Sequence, residues 1–150
     1  MKDKSFLPNS TLKSLGILVG KWNTVGTHPL QPGEKLHGQT EFYWIEGGAF
    51  LAMRSSIEHE AFPEGIAIIS CDDSTKEGFM IYFDDRGVSR NYKWSFAGNE
   101  LKCWRDSPGF SQHYSLTIID NGDTIIGKGE LSKDGSTWEK DLELTYKRVK

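Results

Sequence analysis

The stretch "MIYFDDRGVSRNYKW", Met80 to Trp94, decides the fold. Its centre, Asp84-Asp85-Arg86-Gly87, has the composition of a tight turn, because Asp accepts backbone hydrogen bonds and Gly supplies a positive φ. Beyond the turn, Arg90, Tyr92, Trp94 and Phe96 fall on one face, and Ser89, Asn91, Lys93 and Ser95 on the other. That period of two is the mark of a half-buried strand. The aromatic face is the one to bury, so Arg90 turns inward with it. A buried guanidinium is costly without a partner, so Arg90 calls for a carboxylate, another anion or a hydrogen-bond network. Protein or ligand can supply it.

The same grammar runs through the chain from Lys21 to Arg148. Period-two stretches span Lys21 to Thr27, Leu36 to Glu46, Ala49 to His59, Gly65 to Cys71, Phe79 to Asp84, Val88 to Phe96, Glu100 to Asp106, Ser111 to Ile119, Thr124 to Ser132 and Thr137 to Arg148. Turn signals separate them, among them Pro32-Gly33, Gly47-Gly48, Gly98-Asn99, Pro108-Gly109, Asn121-Gly122 and Asp134-Gly135. No stretch remains for a crossover helix, so neighbouring strands pair antiparallel. A meander of about ten strands removes its edges by closing into an up-and-down barrel. The expected class is all-β, a single domain over residues 1–150, with one short N-terminal helix. That helix follows Pro8-Asn9-Ser10 and sets Leu12, Leu15 and Leu18 three residues apart. A barrel wider than eight strands is expected to enclose a cavity, and a cavity implies a ligand.

Composition narrows the partner. The chain has 150 residues and a net charge of −3, with 18 basic and 21 acidic residues mixed along it. No concentrated basic face is offered to nucleic acid or anionic membrane. Cys71 and Cys103 form no metal or redox spacing, which fits a reducing, cytoplasmic setting. The apolar run Ile17-Leu18-Val19 is too short for a leader or a membrane-inserting helix.

"LVGKWNTVG", Leu18 to Gly26, resembles the Gly-x-Trp opening of the calycin superfamily, which includes lipocalins, fatty-acid-binding proteins and the haem-binding nitrobindins. The resemblance implies that Trp22 and Arg148 pack together across the closed end of the barrel. A nearer resemblance is to a bacterial family of calycin-like barrels without an established activity. It rests on "YFDDRGVSRNY", "WRDSPGFSQHY", "GDTIIGKGELSKDGSTWEKDLELTYKRV" and "EGGAFLAMR". The spacing in Gly20-Lys21-Trp22-Asn23-Thr24-Val25-Gly26 lacks the denser glycine pattern of nitrobindins.

Alternation also selects the candidate site. Phe110, Tyr114, Leu116 and Ile118 bring Gln112 inward; Arg54 shares a face with Phe50 and Ala52, and Arg105 with Leu101 and Cys103. Arg54, Arg90 and Arg105 are thus expected to face one interior and hold the polar end of a ligand, against walls of Tyr92, Trp94, Tyr114 and Gln112. Glu139, Asp141 and Glu143 alternate on the last strand opposite Leu142, Leu144 and Tyr146, and the acidic face is expected to turn outward. No histidine has metal spacing, and no metal site is expected. A one-residue change of phase would carry His113 into the cavity, where it is the candidate haem ligand. "GFSQH" has no following helix and cannot form a nucleophile elbow. Asp84 and Asp85 are explained by the turn, and the cysteines by burial.

The expected function is non-catalytic binding of a small hydrophobic or amphipathic, or aromatic, molecule, anionic if the arginines contact it, with no cofactor. The alternatives are haem and nitrogen-oxide binding, or an isomerase or lyase on the same barrel. A structural or homodimer-forming role would fill the interior with side chains.

Overall fold

A computed structural model of the chain describes residues 10–150. The proposed caps Pro8 and Asn9 lie outside the described residues. A short helix α1 (Ser10–Lys13) runs into a 3-10 turn (Ser14–Leu18). Leu12, Leu15 and Leu18 are all buried. Their spacing of three is that of the tighter 3-10 helix, which stacks side chains every third residue.

Ten strands follow: β1 (Gly20–Thr27), β2 (Leu36–Ile45), β3 (Phe50–Ile57), β4 (Gly65–Cys71), β5 (Gly78–Asp84), β6 (Ser89–Ala97), β7 (Glu100–Arg105), β8 (Ser111–Ile119), β9 (Thr124–Ser132) and β10 (Glu139–Arg148). Each pairs antiparallel with its sequence neighbour, and β1 pairs with β10, which closes the barrel. The last strand starts at Glu139 rather than Thr137 for a local reason. Asp134 Oδ1 accepts the backbone N–H groups of Ser136 at 2.8 Å and Thr137 at 2.7 Å, which holds both residues in the turn. These two donors pull the Asp134 carboxyl down to about 2.

The meander gives the barrel two unlike ends. The helical turns pack over the end where β1 begins and β10 finishes. There Trp22 and Arg148 are paired residues, with the guanidinium carbon 4.2 Å from the centre of the Trp22 ring. Arg148 Nη1 donates to Val19 O at 2.7 Å, and Nη2 donates to Ile17 O at 2.7 Å and Gly122 O at 2.9 Å. Trp22 Nε1 donates to Leu18 O at 2.9 Å. Carbonyls that the helical turns leave unused thereby gain donors, and the plug is tied to both ends of the sheet. The opposite, open end carries the loops after β1, β3, β5, β7 and β9.

Candidate functional site

Behind the loops of the open end lies an internal cavity of about 440 Å³. Its deeper wall is apolar, with Phe42, Ile69, Met80, Leu101, Cys103 and Leu116 among the lining residues. Nearer the mouth the lining turns polar, through His28, Arg90, Tyr92, Gln112, Tyr114 and Asp141. Strict alternation on β6 and β8 explains this placement. Arg90 precedes the buried Tyr92 by two residues, and Gln112, Tyr114 and Leu116 follow one another at the same spacing.

The polar side chains form one continuous network. Tyr92 Oη donates to Gln112 Oε1 at 2.5 Å. Gln112 Nε2 donates to Tyr114 Oη at 2.9 Å and to Asp141 Oδ2 at 3.2 Å. Tyr114 Oη donates to Asp141 Oδ2 at 3.0 Å. His28 completes it. Its Nδ1 accepts the Leu30 N–H at 3.0 Å, so Nε2 carries the proton and donates to Asp141 Oδ1 at 2.9 Å. Asp141 therefore receives three donors while only 7% exposed, as a buried carboxylate must. Burial raises the Tyr114 hydroxyl well above its ordinary value, and the Asp141 charge adds to the rise. Burial also pushes Tyr92 up, against the opposing pull of Arg90 and Arg105.

Asp141 reverses the expectation for the last strand. Between Lys140 and Glu143 the pairing with β9 shifts register, so Asp141 and Leu142 are both presented to the cavity. This β-bulge places two residues where the partner strand has one, which breaks the alternation that sent the acidic face outward. Gly129 on β9 makes room for the network beside it. A Cβ there would stand 2.6 Å from the Tyr114 ring.

The arginines separate. Arg90 lines the cavity, with its guanidinium 4.8 Å from the Phe110 ring centre. Arg105 stands on the same face of β7 as Leu101 and Cys103, paired with Gln112 and half-buried, but is not one of the residues that line the cavity. Its Nε is buried and has no hydrogen-bond partner. Arg54 does not share this interior; it is exposed, on the face of β3 opposite the cavity-lining Met53 and Ser55. Apolar residues occupy both faces of β3, so the pattern Phe50, Ala52 and Arg54 gave the wrong inner face. Trp94 is buried but does not line the cavity. Its indole N–H donates to Ser70 O and Phe79 O, and its ring covers Gly78, where a Cβ would come within 2.5 Å.

His113 stands outside the barrel, its ring stacked on Trp138 at 4.0 Å and Nε2 3.5 Å from Asp106. The phase that would have brought it into the cavity is not the observed one, and the haem reading loses its proposed ligand. Among the described residues no group of three or more His, Cys, Asp or Glu is arranged to hold a metal ion. None of the helices there is long and apolar enough to cross a membrane.

His28, Asp141 and Arg86 are the charged or titratable nitrogen and carboxylate side chains of the lining that the sequence did not single out; Thr24, Thr40, Ser55, Ser56, Tyr82 and Tyr146 add hydroxyls to it. Arg86 reaches back from the β5–β6 turn to Asp84, Nη2 to Oδ2 at 2.7 Å, so its charge is cancelled locally. His28 follows directly on β1, and nothing in "THPLQPG" distinguishes an inward from a solvated histidine.

No protein-family model and no curated protein sequence matches the chain. Among solved structures it is similar to Rv2717c from M. tuberculosis, with a TM-score of 0.66 and 13% identity over 95% of this chain and 99% of that one. It is also similar to the S-type phycobiliprotein lyase CPES from Guillardia theta, with a TM-score of 0.62 and 8% identity over 92% of each chain. At these identities the likeness is one of fold, a closed antiparallel barrel of ten strands.

Proposed function

We propose that the barrel binds one small amphipathic or aromatic molecule in its cavity and does no chemistry on it. The cavity itself carries this reading. A volume of about 440 Å³ lies in the range of small-molecule sites, and an apolar wall with a few convergent polar groups is their usual composition. The lining groups support binding rather than catalysis. Asp141, the one carboxylate among the lining residues, already accepts three hydrogen bonds from protein donors, which hold its oxygens in place. Burial lifts the Cys103 thiol to about 12, far from a nucleophilic thiolate at neutral pH.

The test uses N-phenyl-1-naphthylamine, a neutral aromatic probe whose fluorescence rises in apolar surroundings. It should bind saturably, one molecule per chain, and binding should fall at least tenfold in Met80→Trp, which fills the cavity. Native mass spectrometry of the purified protein should show a co-purifying mass released on denaturation. Binding that is not saturable, or that Met80→Trp leaves unchanged in a folded protein, would place the ligand elsewhere.

A further inference from the structure

We propose that the ligand carries an uncharged carbonyl oxygen, and that the hydroxyls of Thr24 and Thr40, with Ser55 beside them, hold it against the wall of the barrel formed by β1, β2 and β3. This rests on the cavity-binding reading and adds the polar chemistry of the ligand and the place that recognises it.

Three hydroxyls stand in a row across neighbouring strands. Thr24 on β1 and Thr40 on β2 are each 4% exposed, and both line the cavity. Alternation puts Trp22 and Thr24 on the inner face of β1, and Gly38, Thr40 and Phe42 on that of β2. Thr24 is paired with Gly38, so Thr40 is its diagonal neighbour on the same face. Thr40 in turn stands directly opposite Ser55 of β3, a half-buried lining residue. Gly38 keeps the space between the threonines open. A Cβ there would come within 2.9 Å of Thr24 Oγ1, so that hydroxyl leans over the glycine toward β2.

Among the described residues none of the three hydroxyls has a hydrogen-bond partner. Arg105 Nε is the only fully sealed side-chain polar atom there without one, so the two threonine oxygens, although their residues are buried, open on the cavity. A buried hydroxyl without a partner is costly, and buried polar atoms are as a rule satisfied. The polar wall across the ring of strands is different. Tyr92, Gln112, Tyr114 and Asp141 already bond to one another. A ligand group turning to that wall must break bonds; at the threonines it breaks none. The Tyr146 hydroxyl is also unpartnered, but its ring lies over Gly127 of β9, away from the row.

The donor count selects the group. Each hydroxyl has one proton to give, and a carbonyl oxygen has two lone pairs, so Thr24 and Thr40 together satisfy it and are satisfied by it. Charge is excluded by the surroundings. The lining residues of β1, β2 and β3 include no cation, so a carboxylate placed there would be buried without a counter-charge. Phe42 and Met53, on the same strands, receive the adjoining apolar part.

The experiment displaces N-phenyl-1-naphthylamine with 2-acetylnaphthalene, with 2-ethylnaphthalene, which has a methylene in place of the carbonyl, and with 2-naphthoate, all at neutral pH. The wild type is compared with the double variant Thr24→Val and Thr40→Val, which keeps the side-chain shape and removes both hydroxyls. The variant should lose about tenfold or more in affinity for the ketone and nothing for the hydrocarbon, which also shows that it folds. The carbonyl stretch of the bound ketone should lie at lower wavenumber in the wild type than in the variant. Without ligand the variant should melt no lower than the wild type, because it no longer buries unpartnered hydroxyls. Equal weakening of ketone and hydrocarbon overturns the proposal, as does an unchanged ketone affinity, or 2-naphthoate binding the wild type more tightly than the ketone. A variant that melts well below the wild type shows that the hydroxyls serve the fold and overturns it as well. Failure of the naphthylamine to bind at all overturns the cavity reading and this one together; its uptake with no loss specific to the ketone overturns only this one.

Discussion

Asp141 serves three donors at once, and replacing it with an amide turns one of its two acceptor oxygens into another donor. In Asp141→Asn the new NH₂ group faces donors from Gln112 and Tyr114, or from His28, and at least one buried donor is stranded. A stranded donor of this kind costs about 1–3 kcal/mol. Urea denaturation should show a loss of that size for Asp141→Asn, and no loss would mean the network rearranges freely. The same residue marks a limit of sequence reading. Tyr92, Gln112 and Tyr114 were legible because β6 and β8 alternate strictly. Asp141 was not, because a bulge in Lys140-Asp141-Leu142 carries no Gly or Pro to announce it, and the alternation of Leu142, Leu144 and Tyr146 masks it.

Among the elements, the β5–β6 hairpin holds a concentrated electrostatic arrangement. Asp84 accepts from Arg86 Nη2 at 2.7 Å, from Tyr82 Oη at 2.8 Å and from the Arg86 N–H at 3.0 Å. The Arg86 guanidinium and the other donors hold the Asp84 carboxyl well below its ordinary value of 3.8. Since the folded state prefers the charged form, the contribution to stability is fully present above that ordinary value and is lost progressively as the pH falls below it. The stability gap between the wild type and Asp84→Asn should therefore be constant near pH 7 and shrink on acidification below pH 4. A gap independent of pH would show that the hairpin depends on shape rather than charge. This element was readable in advance, because its turn residues each have a mechanism. Strand β5 was less so. Phe79, Ile81 and Phe83 are each at least 37% exposed on one face while Met80 and Tyr82 line the cavity on the other, and a strand apolar on both sides does not reveal its phase.

Over the whole molecule, four buried or half-buried tyrosines respond to alkali together. Burial is the first cause in each: it raises Tyr92, raises Tyr82 and Tyr114 further, and brings Tyr146 to about 12, all from an ordinary value of 10.0. A folded state that disfavours phenolate keeps its stability below that ordinary value and loses it as the pH rises above 10, where the unfolded chain ionises first. Stability should hold up to pH 9 as far as these groups decide it, and then fall steeply. Phenolate absorbance from these residues should appear only together with the loss of β-sheet circular dichroism. Ionisation of all four in a folded barrel would show that water already reaches them.

The β1–β10 seam has a further consequence, for how the chain folds. Nine of the ten strand pairings join sequence neighbours and form by closing short loops; the tenth brings Trp22 to Arg148 across nearly the full length of the chain. Closing that seam costs the most loop entropy and returns little until the other strands are in place, so it belongs late on the folding path. Until then β1 and β10 are both open edges able to recruit another chain. Arg148, bound to Ile17, Val19 and Gly122, then acts chiefly as a brake on unfolding, and its loss should shorten the lifetime of the closed barrel more than it slows its formation.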